Sequence, residues 1–565
     1  MPNCVGAAPH AGTGIVGDQL SRLPHYHGLM VRRPVDRGFI VDGALQTRMW
    51  EHVLQHFAIE QEDEVDVWLT VPFAAPKAVA QLLWLLCTRS FRFGSVTVVS
   101  SSFLALVGYS FPNMGSAVHI KMNTAAGDAV AGERTSFPED AQRSRKRART
   151  TGHAAANAYG AGDGNGMEKG GTAIVVDVGF SGTTIVPYID FLPVASSIIR
   201  LDVGGKLLTN RLKELLSFRQ VNVMEDTWLI NHVRERCCVT AMQPWRSLRL
   251  CAAMWEGTSR EELEAQLTRA SHTVRDSRDG SSLLQTMARS RGAVRGDESG
   301  GRGGRGVTDR EAADTPVRFY LPTIPALLPL GVVEAELPAR LPKSSAVDST
   351  ALQHLLLCQE RFLIPELLFT PGDVGLDQQG LPQAITEGVF QRGLLQHVVT
   401  LLRPQLLKRV CVYGGLADTP LLLARLHDEV QAVAPLAAGR AGRQNNGSSS
   451  EEEDVAKEGD DVDGQHKGGV EAPPPLSALL EDAIAAAAAD SNGASSVPSF
   501  SAMTLQPLIG AFCLLSADAA STSAAAQRLV RLRAMVQQRS QVELQRPGGG
   551  RVTVETFHEA MQRVW

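Results

Sequence analysis

The chain has no CxxC pair and no histidine at metal-ligand spacing beside any of its eight cysteines, Cys4, Cys87, Cys237, Cys238, Cys251, Cys358, Cys411 and Cys513. Scattered thiols of this kind argue against a zinc ribbon or a disulfide framework and point to a reducing intracellular compartment. No apolar run approaches the roughly 18 to 20 residues that a membrane span requires. The opening MPNCVGAAPHAGTG also lacks a positively charged stretch followed by an apolar one, so a soluble, unsecreted protein with no membrane contact is expected. Neither sign of charge dominates: 55 Lys and Arg against 60 Asp and Glu leave a net charge of −5. Without an overall basic field, nucleic acid could be held only through a local patch.

What is present is length and apolar content. The 565 residues, 44% hydrophobic and 20% charged, suffice for two lobes with separate cores plus insertions. Residues 16 to 107 alternate strand-like and helix-like runs: GFIVDG, a helical pattern through Met49, Trp50, Val53 and Leu54, then VDVWLTVPF, a helix from Pro76 through LLWLLC, and SVTVVSSSFLALV as a buried strand entering a helix. That alternation predicts an α/β lobe.

Three stretches lose this periodicity. Residues 110–171 turn to Gly, Ala, Ser, Asn and Arg around the basic cluster Arg143, Arg145, Lys146, Arg147 and Arg149. Residues 287–312 are rich in Arg and Gly, and residues 438–498 carry the acidic run Glu451, Glu452, Glu453 and Asp454 followed by PPP and the Ala-rich LSALLEDAIAAAAAD. Such compositions bury too little apolar area to offset backbone entropy and read as disordered inserts. The basic cluster suits nuclear import or a DNA contact as well as a solvated linker, whereas the Arg-Gly tract and the acidic run read as spacer and solvated charge. Vicinal Cys237 and Cys238 read as core packing at a helix end, and His232 as a surface helix residue rather than a ligand.

The stretch from Ile174 to Tyr188, IVVDVGFSGTTIVPY, carries the most chemistry. Glycine lets backbone N–H groups approach a phosphate closely, and an Asp at a strand end can order a magnesium-bound water. Asp177 and Gly179 supply that pair, although DxG between strands is by itself more often an ordinary turn.

The segments downstream of this hairpin, taken in their order, are more specific. IIRLDVGGKLLTNRLKELL, INHVRERCCV, RFLIPELLFTPGDVGLDQQGLPQAI, VYGGLADTPLLLARL and VTVETFHEA together resemble the actin family, most of all the nuclear class called actin-related protein 6. GDQL at 17 to 20, RPVDRGFIVD at 33 to 42 and Trp50 also look like its first lobe. The resemblance implies an α/β, actin-like (ribonuclease H-like) fold of two lobes around a central nucleotide cleft. Residues 1–109 would form the first lobe and 172–437 the second, interrupted at 287–312, with 499–565 returning to the first. It implies that Asp177 and Gly179 match the second phosphate hairpin, Gly205 the turn under the adenosine, Arg234 and Glu235 the pair flanking base and ribose, and Gly414 and Gly415 the loop covering them. No catalytic or metal-ligating residue is assigned.

The pattern also fails at informative places. Phe180 and Ser181 stand where actin's hairpin has a further Asp and Gly, Thr184 takes the place of a His, and Ser101 is the nearest match to a Gln that helps position the attacking water. Thr419 replaces an aromatic of the base pocket, and FCLLSAD replaces a Gly-Gly turn. Attack on a γ-phosphate depends on positioning and charge stabilisation, so hydrolysis is not expected. The opening MPNC resembles the segment after the family's first phosphate hairpin. Deleting central strands would expose buried sheet edges, so a coding start placed too far downstream is the expected reason. ATP or ADP would serve as a structural ligand if that hairpin exists.

By family analogy the chain is then a non-catalytic nuclear scaffold of a remodelling complex that exchanges histone variants. Its partners would be the remodeller's motor subunit, a HIT-type zinc-finger subunit and nucleosomal histones, and it would not form a homo-filament. The alternative is an ATP-using phosphotransferase or ATPase of the actin and sugar-kinase superfamily, which needs both hairpins and a carboxylate base.

Overall fold

The computed structural model describes residues 3–7, 14–23, 29–56, 65–111, 170–255, 316–323, 328, 330–337, 352–391, 396–443, 470–471, 506–517, 523–544 and 552–563. Most of the expected inserts, including the basic cluster, the Arg-Gly tract, the acidic run and the Ala-rich stretch, lie outside the described residues.

The N-terminal alternation becomes a small antiparallel sheet of β1 (Val5–Ala7), β2 (Ile15–Val16) and β3 (Met30–Arg32), in the order β2-β1-β3. Next come the hairpin β4 (Val35–Asp36) and β5 (Phe39–Ile40) and the helix α1 (Gly43–His56). The hairpin closes through Arg37 and Gly38, both at positive φ of 49° and 84°, the backbone twist that two-residue turns favour. Asp42 starts α1 by accepting the Leu45 N–H at 3.0 Å, satisfying one of the helix's orphan donors. β6 (Asp66–Thr70), α2 (Lys77–Leu85) and β7 (Ser95–Val99) form a parallel strand–helix–strand unit. Ser100 then caps α3 (Ser101–Ser110), its Oγ accepting from Phe103 N at 3.2 Å.

The second half is built on β8 (Ala173–Val178) and β9 (Thr183–Ile189), which form a hairpin, with β10 (Leu192–Pro193) and β11 (Ile199–Leu201) both pairing with β9. Helices α4 (Gly205–Arg219), α5 (Thr227–Cys237) and α6 (Pro244–Trp255) come next. A three-stranded sheet, β13-β12-β14, is made of β12 (Val317–Tyr320), β13 (Val332–Val333) and β14 (His354–Leu357). Then come α7 (Glu360–Glu366), α8 (Leu381–Thr386), α9 (Gln396–Leu401), α10 (Arg403–Lys408), β15 (Val410–Tyr413) and α11 (Leu422–Arg443).

Helix α11 continues to Arg443 and Val470–Glu471 forms β16, a parallel partner of β15, so these residues belong to the fold although they fall within the expected insert at 438–498. A two-residue strand directly ahead of prolines offers no alternation to read. The chain ends with α12 (Gln506–Ser516), α13 (Ala524–Ser540), β17 (Gln541–Glu543) and α14 (Val554–Gln562). β17 pairs antiparallel with β7, while Phe557, Ala560 and Met561 of α14 are buried with Val96 and Val98.

Strand β8 sits between two cores. Ile174, Val176 and Val178 pack with α4, α5, α7 and α8 on one face, whereas Ala173 and Val175 pack with α3, α12 and α13 on the other. Its run of apolar residues follows from this double cover, since a strand with helices on both faces has no solvent side to alternate with. All eight cysteines are free and buried. Among the described residues no helix is long and apolar enough to cross a membrane, and no group of His, Cys, Asp and Glu could hold a metal ion. His232 departs from expectation: it is half-buried on α5, edge-on to Phe319 at 6.1 Å, and burial pushes its imidazole down to about 4.

Two further details were hidden in the sequence. Gln220, just past α4, lays its side-chain amide along the outer edge of β14, donating to Leu356 O at 2.7 Å and accepting from Leu356 N at 2.8 Å. Helices α3 and α12 cross closely because both are glycine at the contact. A Cβ at Gly510 would lie 1.7 Å from Leu104 O, and one at Gly108 would lie 2.8 Å from Gln506 O. Backbone cannot yield as a side-chain tip can, so Gly510→Ala should destabilise the fold by about 2–3 kcal/mol, seen as a lower urea midpoint. Gly372→Ala, with nothing within 4 Å of the new carbon, should leave the midpoint within experimental scatter. Equal midpoints for the two variants would show that the helices slide apart freely.

Candidate functional site

The β8–β9 hairpin, the N-terminus of α4 and the loop after β15 meet at one place. Gly205 N donates to Gly179 O at 3.1 Å, Lys206 N to Phe180 O at 2.8 Å, and Gly179 N to Gly182 O at 3.1 Å, so the hairpin tip is stitched to the start of α4 by backbone alone. A Cβ on Gly204 would stand 2.4 Å from Gly182 N. The G-G of the turn is therefore a close-approach requirement.

From the other side, Leu416 N donates to Val178 O at 3.0 Å. Gly414, at φ +113°, lies so near the hairpin that a Cβ there would be 2.8 Å from Asp177 Oδ1. Gly415 faces open space within 4 Å. Asp177, Gly179, Gly205 and Gly414 are thus neighbours.

Asp177 pairs in register with Tyr413 of β15. The Tyr413 hydroxyl donates to Asp177 Oδ2 at 3.1 Å and lies 2.9 Å from Ser101 Oγ at the start of α3. Burial pushes the Asp177 carboxyl up to about 6, with the Tyr413 hydrogen bond opposing it, and burial likewise pushes the Tyr413 phenol well above its usual value. A carboxyl so situated holds its proton to higher pH than an ordinary aspartate but is still mostly ionised at pH 7. Thr184, opposite Asp177 across the hairpin, brings no imidazole.

Arg234 and Glu235 sit on α5, where Arg234 is buried and spent on local partners. Its Nε donates to Thr209 Oγ1 at 3.1 Å, and its Nη2 donates to Asn231 Oδ1 and Glu235 Oε1, both at 3.2 Å. Glu235 Oε1 also accepts from Asn231 at 2.7 Å.

The residue that ties this pair to the hairpin is Arg33, between β3 and β4. Its guanidinium lies 4.0 Å from the centre of the Phe180 ring. Burial lowers its pKa, and the charge of Glu235 is among the groups that favour its charged form. Nothing local in the sequence marks Arg33, because its partners lie about 150 and 200 positions away.

A nucleotide's phosphates and their magnesium do not fit the residues present at this hairpin. The tip carries an aromatic ring contacted by a guanidinium where a metal-bound phosphate would need a further acidic side chain, and the adjoining Asp177 carboxyl is half-buried and engaged by the Tyr413 hydroxyl. No step is assigned through a bound nucleotide.

This double-sided sheet with a glycine-stitched hairpin and a paired glycine loop is the architecture of a two-lobed, actin-type α/β protein. The chain belongs to the actin family, whose model matches residues 1–447. It is similar to Actin-related protein 6 of Oryza sativa subsp. indica, 24% identical over 443 residues that span 77% of this chain and 80% of that protein. Actin-like protein arp6 of Emericella nidulans is 27% identical over 445 residues, 77% of this chain and 76% of its own. Actin-related protein 6 of Drosophila melanogaster is 28% identical over 262 residues, 46% and 49% of the two chains.

The Asp177 carboxyl gives a measurable consequence. In the unfolded chain it ionises near the ordinary value of about 3.9; in the folded protein it does so at about 6. Between these values the folded form holds more protons, so stability falls as pH rises through that window. Asp177→Asn removes the burial penalty of the charge and should be more stable than the wild type at pH 7 by about 2 kcal/mol, the difference vanishing towards pH 4. Urea denaturation at the two pH values tests this, and equal stability at pH 7 would mean that the carboxylate is well solvated.

Proposed function

We propose that this protein is a non-catalytic actin-fold scaffold subunit of a nuclear SWR-type chromatin-remodelling complex that exchanges histone variants in nucleosomes. The observation that carries the non-catalytic part is the hairpin tip, where Phe180 lies under the Arg33 guanidinium at 4.0 Å in place of an acidic side chain. Phosphoryl transfer depends on charge stabilisation and on an oriented water, and a cation stacked on a ring at the tip supplies neither a magnesium ligand nor a base.

The assembly is proposed from the class that the chain most resembles. Relatives named Actin-related protein 6 or Actin-like protein arp6 occur in a plant, a fungus and an animal. On that basis the partners are an insertion of the remodeller's motor subunit, a HIT-type zinc-finger subunit and, through the assembly, the nucleosome. The location is the nucleus. An actin-fold body suits this role because its surface can be recognised by partners whether or not its cleft does chemistry.

Tagged full-length protein purified from cells should bring down a helicase-type motor subunit together with histones; recovery of neither would remove the assembly assignment. Purified chain given ATP and magnesium should release phosphate no faster than buffer, and turnover above that level would instead place it with the phosphotransferases and ATPases of the superfamily.

A further inference from the structure

The implied nucleotide does not fit the hairpin, yet contacts from the first lobe still reach it. We infer that the Arg33–Phe180 stack is a built-in clasp that holds the two lobes together where a nucleotide would otherwise bridge them.

Phe180 is held through both its backbone and its ring. Its carbonyl accepts from Lys206 N at 2.8 Å, and its ring lies against Gly205, where an added Cβ would be 2.9 Å from Cδ2. The guanidinium of Arg33, from the first lobe, lies over the ring at 4.0 Å from its centre. The ring face is electron-rich, so a cation withdrawn from water is attracted to it more strongly than one left exposed. Arg33 is partly so withdrawn, since it and Phe180 are both half-buried, and Glu235 of α5 favours its charged form. One arginine of the first lobe therefore addresses two elements of the second.

Two other contacts cross at the same level. Lys206 Nζ pairs with Asp36 Oδ1 at 2.7 Å, and Arg200 donates to Arg37 O. The Lys206–Asp36 pair is about half exposed on both sides, and exposed pairs are weak and screened by salt. The covered stack is the stronger candidate for the clasp. A nucleotide joins two lobes by binding both, stabilising the closed form in proportion to its concentration. A side-chain stack does so independently of any concentration.

Hydrogen exchange of the full chain tests this at the amides of Gly205 and Lys206, whose donors are bonded to Gly179 O and Phe180 O. Arg33→Gln and Phe180→Ala should each speed exchange there about ten-fold, and the double variant should be no faster than the faster single one, because each change removes the same contact. Phe180→Tyr keeps the ring face and should exchange like the wild type. Phe180→Leu keeps apolar volume without that face and replaces Phe180→Ala if the latter does not fold. The wild-type melting midpoint should stay within about 1 °C when millimolar ATP with magnesium is added.

Wild-type exchange rates in Arg33→Gln, additive effects in the double variant, or a midpoint raised several degrees by ATP with magnesium would each overturn the clasp. None of these readouts involves the remodelling complex, so this inference and the proposed assembly stand or fall separately.

Discussion

The structure depends on β8 having no solvent face. Helices cover it on both sides, its neighbours β9 and β15 flank it, and its backbone hydrogen bonds lie in a dry layer where breaking one would leave buried N–H and C=O groups unpaired. Asp177 lies at the end of this strand, so its carboxyl inherits the dry surroundings. The raised pKa therefore follows from the architecture that makes β8 stable, and no separate charge is needed to produce it.

The same constraint brings the site together. Because β8 and β15 run parallel in register, Tyr413 falls beside Asp177, and the glycine pair just after β15 falls over the hairpin. The start of α4 is then bonded to the hairpin through main-chain groups, which fixes the tip without dictating what its side chain does. That freedom lets an aromatic occupy position 180 with the surrounding backbone kept. Such a scaffold can exchange ligand chemistry for internal contact at one residue, provided that a partner exists across the cleft, and Arg33 is that partner.

Much of the fold was legible because it is local. The alternation from residue 16 to 107 and the apolar run of β8 are patterns carried by neighbouring residues. The hairpin could be read for the same reason, since Asp177 and Gly179 stand between two apolar strand runs, whereas Gly205 was placed only by resemblance to the family. What escaped was long-range. Arg33 has no local signature, Gly108 and Gly510 acquire meaning only as a pair, and β16 is too short to show a pattern. His232 looked exposed because Phe319, the ring that half covers it, arrives from a strand nearly ninety positions later. Propensity reports what a segment prefers, whereas these features report what a distant segment imposes.

The amide of Gln220 has an effect beyond its two bonds. An unpaired sheet margin is a docking rail for any extended chain that drifts by, and cells contain many such chains. Here a newcomer must first evict a tethered group whose local concentration never falls, and it regains at Leu356 only the two bonds it displaced. Its net gain there is close to nothing, so a single uncharged side chain quietly guards the margin against stray strands.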